Sequence, residues 1–311
     1  MQITQDDPET KRLSEILRKH GVAINAQKKA QIENKLRSGR TPELLFGFAE
    51  CLRAEGALSR AAEYYDEASA SPELEQRCKY LEAVCLQKKT GAISGGSGLF
   101  TPAPFSMRDG FLDISAQRML QAQFTQLEEK MIPAKVGSRK KGHINQSTRS
   151  AWTVSGPAMK PVRKAIVGDI EKALMEALTL FGYESEAGLH ITMNFTSYHD
   201  RGFYGQHTDA GEGHPRILSY IYYFHEMPKK FSGGELELFD TSFPKEEING
   251  QATLIAPVNN RLVIFPSQFS HQVKPVSMDQ SLPWLSARNT LNGWLEFAPE
   301  RRINVDRSAT E

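Results

Sequence analysis

Arg216-Ile-Leu-Ser-Tyr-Ile-Tyr-Tyr-Phe224 is a mainly apolar and aromatic run, and it predicts a buried β-strand around which the fold can be built. Further short runs of the same kind occur after Gly188, separated by turns and without helices between them. They cover residues 189–198, 235–239, 251–255, 261–265, 271–276 and 288–297. Many short strands in succession predict an antiparallel sandwich or jelly roll.

Two amphipathic helices are predicted before these strands. Leu120, Phe124, Leu127 and Met131 form one apolar stripe, and a second one follows. The second stripe consists of Ile166, Ile170, Leu174, Ala177 and Phe181. Between the stripes, residues 130–168 contain nine Lys or Arg and no Asp or Glu. This basic stretch is either a solvated loop or a docking surface for an acidic partner or substrate.

Residues 1–90 are predicted to be helical. Asp7-Pro8 predicts a helix that ends at Gly21, and Thr41-Pro42 and Ser71-Pro72 are two similar helix starts. The segment between these two starts predicts a helical hairpin with a turn at Gly56. It resembles one tetratricopeptide unit, and an ordinary helical bundle is the alternative interpretation.

The Gly-, Ser- and Pro-rich residues 91–104 are the candidate linker. We therefore predict an α+β protein with a helical N-terminal domain (1–90), this linker, and a catalytic domain (105–311) that contains the jelly roll and its supporting helices. A catalytic domain of this length is expected to bury a sufficient core by itself.

Composition excludes several classes of protein. Apolar residues make up 40% of the 311, and 38 Lys plus Arg balance 37 Asp plus Glu, so neither global disorder nor a nucleic-acid partner is expected. The apolar runs are too short to cross a membrane, and the acidic start does not resemble a signal peptide. Three cysteines, Cys51, Cys78 and Cys85, do not form a disulfide framework. A cytoplasmic protein is therefore expected.

A candidate metal site lies at His207-Thr208-Asp209. An imidazole and a carboxylate two residues apart share one face of an extended chain, so both can reach one ion. A second histidine, His271, follows the strong strand at 261–265 and a turn. Two imidazoles and one carboxylate form the facial triad of non-haem Fe(II) oxygenases, which leaves coordination positions open.

The order of these motifs resembles the prolyl 4-hydroxylase-like branch of the 2-oxoglutarate- and Fe(II)-dependent dioxygenases. His207-Thr-Asp209 is followed by the strand at 216–224, by Gly233-Gly-Glu-Leu-Glu-Leu238, by His271, and by Arg288-Asn-Thr-Leu-Asn-Gly-Trp294. The resemblance covers residues 185–298 and, more loosely, the helices from 105. It implies a double-stranded β-helix that binds Fe(II), 2-oxoglutarate and O2, with ascorbate as a stimulant.

The resemblance also implies roles for single residues. Arg288 is expected to pair with the distal carboxylate of 2-oxoglutarate, with Lys274 as a minor rival. Tyr204 and Tyr223 match tyrosines of the cosubstrate pocket, although either is equally explained as an aromatic core residue. Residues 277–287, an insertion relative to the family, are interpreted as a hairpin at the rim of the active site.

We expect the enzyme to hydroxylate an unactivated C–H bond, with a residue such as proline in a peptide or protein as the preferred substrate. Oxidation of a small molecule or free amino acid is the alternative, and a non-catalytic jelly-roll binding module is a third hypothesis. The helical N-terminal part is expected to dock the substrate, to form a homodimer or to buttress the catalytic domain.

Overall fold

The structure, a computed structural model, describes residues 26–90, 100–137, 142–183, 188–210, 216–243 and 247–297. The helix predicted between Pro8 and Gly21 lies outside these residues, as does the Gly/Ser part of the predicted linker. The described helices are α1 (Ala26–Ser38), α2 (Pro42–Ala54), α3 (Leu58–Ala68), α4 (Glu75–Cys85), α5 (Ile114–Leu127) and α6 (Lys160–Leu180). None of them is long and apolar enough to cross a membrane.

Most of the strands after Gly188 lie where the sequence predicted them, whereas the strands before it were not predicted. The first four are β1 (Ser106–Asp109), β2 (Ile132–Pro133), β3 (Arg149–Ser150) and β4 (Trp152–Val154). Those after Gly188 are β5 (Leu189–Ile191), β6 (Asn194–Tyr198), β7 (Phe203–His207), β8 (Arg216–Phe224), β9 (Phe231–Gly233), β10 (Leu236–Ser242), β11 (Glu247–Ile255), β12 (Arg261–Pro266), β13 (His271–Val273), β14 (Val276–Met278) and β15 (Arg288–Phe297).

These strands form two larger antiparallel sheets. The large sheet has the order β1-β12-β8-β15-β6-β4-β2, with β5 also paired to β15, and the small sheet has the order β11-β10-β13-β7-β3. Side chains of β8 alternate between two cores. Tyr222 and Phe224 pack with the helices α5 and α6, whereas Tyr223 packs with Leu236 and Leu238 of the small sheet. The predicted jelly roll with supporting helices is thus confirmed at the level of the α+β architecture.

The two helices beside the large sheet follow the predicted stripes. Leu120, Phe124 and Leu127 are buried on α5, and Phe124 packs edge-to-face against Phe195 and Phe224 at 5.4 and 5.1 Å between ring centroids. This packing leaves the opposite face of β6 and β8 free to form the wall of a cavity.

The insertion at 277–287 does not form the hairpin that the sequence predicted. Its first residues belong to β14, which pairs with the distant strand β9. The cause is a close approach at Gly233, where an added Cβ would lie 2.1 Å from the carbonyl oxygen of Pro275. Only glycine permits that approach, so β14 can pair with β9. Further along the insertion, Trp284–Ser286 form a short 3-10 helix.

The helical N-terminal part contains the predicted hairpin of α2 and α3. Thr41 caps α2, because its hydroxyl accepts a hydrogen bond from the Leu44 amide at 3.4 Å. The second start differs: Ser71 lies in a turn, and α4 begins at Glu75 without a side-chain cap. The resemblance to a tetratricopeptide unit and the domain boundaries at 90 and 105 stay predictions.

A buried ion-pair network joins the helical part to the sheets. The Arg53 guanidinium on α2 donates to Asp240 on β10 at 2.7 and 3.0 Å and to Glu50 at 2.9 Å, and all three residues are at most 2% exposed. Arg77 reaches Asp240 at 3.2 Å. Because buried charges are costly unless they are paired, the carboxylate on β10 requires cations that the helices supply. This favours the buttressing role among the three that the sequence left open.

We predict that Arg53→Ala lowers the free energy of unfolding by about 3–5 kcal/mol, because the buried Glu50 loses its cation and the buried Asp240 keeps only Arg77. Arg40→Ala is the matched control, since Arg40 also pairs with a glutamate, Glu67, but on the exposed surface. Denaturant titration measures both variants. Equal losses for the two variants would contradict a stabilising role for the buried network.

Candidate active site

Three side chains that the sequence singled out converge between β7 and β13. These strands pair so that His271 lies opposite His207, with 4.2 Å between the ring centroids. The Asp209 carboxylate lies 3.9 Å from Nε2 of His207 and 3.5 Å from Nε2 of His271. The three ligand atoms lie within 4.8 Å of one another. The strand ends at His207, so Asp209 reaches the cluster from the following turn and not from the predicted extended chain.

Backbone carbonyls orient both imidazoles. Nδ1 of His207 donates to the carbonyl oxygen of Gly205 at 2.8 Å, and Nδ1 of His271 donates to that of Phe269 at 3.0 Å. A carbonyl oxygen can only accept, so each Nδ1 carries a proton, and in the neutral form of each imidazole the lone pair is on Nε2. Both lone pairs belong to the atoms that face Asp209, which is the arrangement that metal-binding histidines need.

Two serines that the sequence analysis missed hold the carboxylate. Ser219 on β8 donates to Oδ2 of Asp209 at 2.7 Å, and its hydroxyl lies 2.9 Å from that of Ser267. The Asp209 amide donates to the carbonyl of Ser267 at 3.0 Å. The available signal was the position of Ser219 inside the apolar run at 216–224, where a buried hydroxyl must find a partner.

The electrostatic environment favours the ligating forms of these groups. Burial and, next, the charge of His271 lower the pKa of His207 to about 3. Burial acts to raise the pKa of Asp209, but His271, His207 and the Ser219 hydrogen bond outweigh it and lower this pKa to about 2. At neutral pH the cluster therefore presents a neutral His207 imidazole beside a charged carboxylate, as metal ligation requires.

A cavity of about 700 Å³ opens from this cluster. Its wall includes one polar face of β6 and polar residues of β15. These residues are Asn194, Thr196, Tyr198, Thr290 and Asn292. Phe195 points the other way, into the core with α5. This part of the wall is therefore hydrogen-bonding surface.

Arg288 lies at the same cavity and is 1% exposed. Its Nε donates to the carbonyl oxygen of Gly234 at 2.5 Å, and its guanidinium lies 4.7 and 5.0 Å from the rings of Tyr198 and Tyr223. Its Nη2 is buried and has no hydrogen-bond partner among the described residues. A buried cation with an unused donor beside a cavity is suited to an anionic ligand.

The other predicted residues divide into two groups. Tyr204 lines the cavity, and its ring stacks on His207 at 3.6 Å. Tyr223 is fully buried beside Arg288. Lys274 instead lies 3.6 Å from Glu237 with its side chain 44% exposed. That position favours Arg288 over Lys274 as the partner of a buried carboxylate.

Comparisons with known proteins agree with this geometry. Residues 193–296 match the family model of the 2OG-Fe(II) oxygenase superfamily. The chain is 33% identical over 140 residues to the uncharacterized PKHD-type hydroxylase sll0191 of Synechocystis sp., a match that covers 43% of this chain and 46% of that protein. The chain thus spans about half the length of this curated relative.

Two solved structures have weaker similarity. A prolyl-4-hydroxylase of Pseudomonas putida is 22% identical, with a TM-score of 0.43 over 63% of this chain and 93% of its own. A prolyl hydroxylase of Trichoplax adhaerens, solved with a hypoxia inducible factor peptide fragment, is 17% identical. The match has a TM-score of 0.47 and covers 62% of this chain and 83% of that protein.

These matches confirm the predicted resemblance of this part of the chain to the 2OG-Fe(II) oxygenase superfamily. The superfamily implies Fe(II), 2-oxoglutarate and O2, and the residues present fit these groups. His207, Asp209 and His271 supply the two imidazoles and one carboxylate of a facial triad. The unpartnered Nη2 of Arg288 is the donor that a carboxylate of 2-oxoglutarate would satisfy.

We predict that the three residues bind one divalent cation. Calorimetric titration with Mn(II) should give one site, and His207→Ala should weaken it by more than about 100-fold, because a ligand is lost and not merely its support. His190→Ala is the control, since His190 pairs with Glu296 on β15, at 2.8 Å. Unchanged Mn(II) affinity in a folded His207→Ala variant would remove the assignment.

Proposed function

We propose that this protein is a 2-oxoglutarate- and O2-dependent hydroxylase that acts on an unactivated C–H bond of a residue, such as proline, in a peptide or protein. The observation that carries the proposal is the pairing of a His207, Asp209 and His271 cluster with the buried, unsatisfied Arg288 at one cavity. A non-catalytic binding module does not require both features together.

When bound, Fe(II) and 2-oxoglutarate supply the oxidising chemistry, in which the oxoacid loses CO2 to become succinate and one oxygen atom of O2 enters the substrate. The residues of this chain bind and orient these groups. His207 and His271 present fixed Nε2 lone pairs, and Ser219 holds Asp209 in one rotamer by its hydrogen bond. Fixed ligands leave the remaining coordination positions for the reacting groups.

Arg288 is proposed as the residue that fixes the far end of 2-oxoglutarate. Its guanidinium is held by Gly234 and enclosed by Tyr198 and Tyr223, so it does not reorganise when a carboxylate binds. We propose that Tyr223 supports this carboxylate site. Tyr204 would limit the cavity beside His207; burial raises its pKa to about 12, so its phenol stays protonated.

The wider context of the site supports a peptide substrate. The short edge strands β2 and β3 both contribute to the cavity wall, through Ile132 and Arg149. Edge strands offer backbone hydrogen bonds to an extended chain. A homodimer formed by the helical part and a cytoplasmic location stay proposals, and residues 26–90 do not contribute to the described cavity wall.

A succinate-coupled screen of peptides against small metabolites and free amino acids tests the proposal. Supplied with Fe(II) and ascorbate, the protein should form succinate, and mass spectrometry should show a gain of one oxygen in a peptide. Oxygen gained only by a free amino acid or metabolite would replace the peptide substrate. No succinate at all, from a protein that binds metal, would contradict the hydroxylase.

We predict that Arg288→Ala raises the 2-oxoglutarate concentration required for half-maximal turnover. The lost charged pair is worth about 2–4 kcal/mol, or roughly 30- to 1000-fold. Lys274→Ala, which removes an exposed cation near the site, is the control. If Lys274→Ala has the large effect and Arg288→Ala does not, the carboxylate partner is misassigned.

Gly234→Ala should impair 2-oxoglutarate binding while Arg288 is still present. Gly234 has φ of +73°, and an added Cβ would lie 2.5 Å from Cδ of Arg288, so the guanidinium must move. Gly250→Ala imposes similar backbone strain at φ of +81° but meets no atom within 4 Å. Titrating 2-oxoglutarate against both variants separates displacement of Arg288 from strain alone, and equal affinities would show that its position is not decisive.

A further inference from the structure

The cavity opening is strongly basic. Lys135, Arg149, Lys160 and Arg163 line the cavity, and three of them, all except the half-buried Arg149, are exposed, which places them where the cavity meets solvent. All four belong to the basic stretch 130–168 that the sequence left open between a solvated loop and a docking surface. The fold brings these four residues to the opening that leads to the metal cluster.

Positive charge at this opening is not balanced within the described chain. None of the four side chains has a carboxylate partner among the described residues, and Asp209 is the only described carboxylate in the cavity wall. Lys160 and Arg163 are three residues apart in the first turn of α6, so they lie on one face at the positive end of that helix. The local field therefore attracts anions.

Arg149 carries this charge close to the metal cluster. Its guanidinium lies 4.5 Å from the Tyr204 ring, which in turn stacks on His207. Nη1 of Arg149 donates to the carbonyl oxygen of Lys135 at 3.3 Å, whereas its Nε is buried and has no hydrogen-bond partner among the described residues. A half-buried, fixed cation with an unused donor is a recognition group for an anion and not a solvated surface charge.

The proposed cosubstrate does not account for these four cations. Arg288 and the metal cluster already provide for the two charged ends of 2-oxoglutarate. Moreover, the cations lie on three separate segments: Lys135 after β2, Arg149 on β3, and Lys160 with Arg163 on α6. Charges spread over several segments match an extended chain with several carboxylates better than a small acid with one.

We propose that the substrate is an acidic peptide segment, in which Asp or Glu residues flank the oxidised residue and pair with Lys135, Arg149, Lys160 and Arg163. This inference rests on the proposed hydroxylase and specifies its substrate class. The oxidised residue enters the cavity between β2 and β3, while its acidic neighbours remain at the basic opening. Charge complementarity would give this site its selectivity.

Matched peptides test the inference. Two fluorescent 13-residue peptides have one central proline and either three Glu or three Gln on each side, and anisotropy measures their binding to the full chain loaded with Mn(II) and 2-oxoglutarate. The test variant is Lys160→Gln with Arg163→Gln. The control is Lys164→Gln with Lys172→Gln, which removes the same charge from exposed positions of the same helix outside the described cavity wall.

The Glu peptide should bind the unmodified protein about tenfold tighter than the Gln peptide, and this ratio should shrink as salt rises from 0.05 to 0.5 M, roughly the range over which exposed charges become screened. The test variant should lose about fivefold in affinity for the Glu peptide, and the control should lose less than about twofold. Equal binding of both peptides to the unmodified protein, or equal losses in both variants, would overturn the inference.

Succinate formation without peptide separates failure of this inference from failure of the proposed function. If the unmodified protein turns over 2-oxoglutarate but does not prefer the Glu peptide, the hydroxylase stands and the acidic substrate is wrong. If it shows the charge-dependent binding without any turnover of 2-oxoglutarate, the acidic docking surface stands and the hydroxylase is wrong. If the protein shows neither turnover of 2-oxoglutarate nor charge-dependent peptide binding, both the acidic substrate and the proposed hydroxylase are wrong.

Discussion

The active site depends on the antiparallel pairing of β7 with β13. This register places His207 directly opposite His271, so two residues that are distant in sequence bring their imidazole rings to within 4.2 Å between centroids. A shift by one residue would turn either imidazole to the opposite face of the sheet. Asp209 is held from the other side by Ser219 of β8, so the cluster is clamped between the two sheets and requires the whole jelly roll.

A second constraint is the burial of Arg288 without an ionic partner among the described residues. Such a cation is costly, and the chain lowers the cost by enclosing it between Tyr198 and Tyr223 and by one carbonyl hydrogen bond. Glycine at 234 is what permits the carbonyl to approach so closely. The unsatisfied donor, Nη2 of Arg288, is available to bind a ligand, because a carboxylate that enters the cavity would form both a hydrogen bond and an ion pair with it.

The sequence predicted the parts of this structure that depend on local pattern. The run at 216–224 forms β8 with the predicted bounds, and His207, Asp209 and His271 meet as their spacing and the family resemblance indicated. Features that depend on long-range contacts were missed. The segment at 277–287 pairs with β9 because Gly233 allows it, and no local pattern encodes that partner. The supporting role of Ser219 likewise becomes visible only when β8 faces the cluster.

The location of the basic stretch is a consequence of the topology. β2 is an edge of the large sheet and β3 is an edge of the small sheet, so the chain changes from one sheet to the other between these two strands. After β3 a single residue, Ala151, returns the chain to β4 in the large sheet. Lys135, which follows β2, and Arg149 on β3 therefore both lie at the cavity. The helical N-terminal part has the opposite position, because its contacts with β10 and β11 stabilise the far edge of the small sheet. The edge of the small sheet that is proposed to contact the substrate and the edge that the helices stabilise are thus separate.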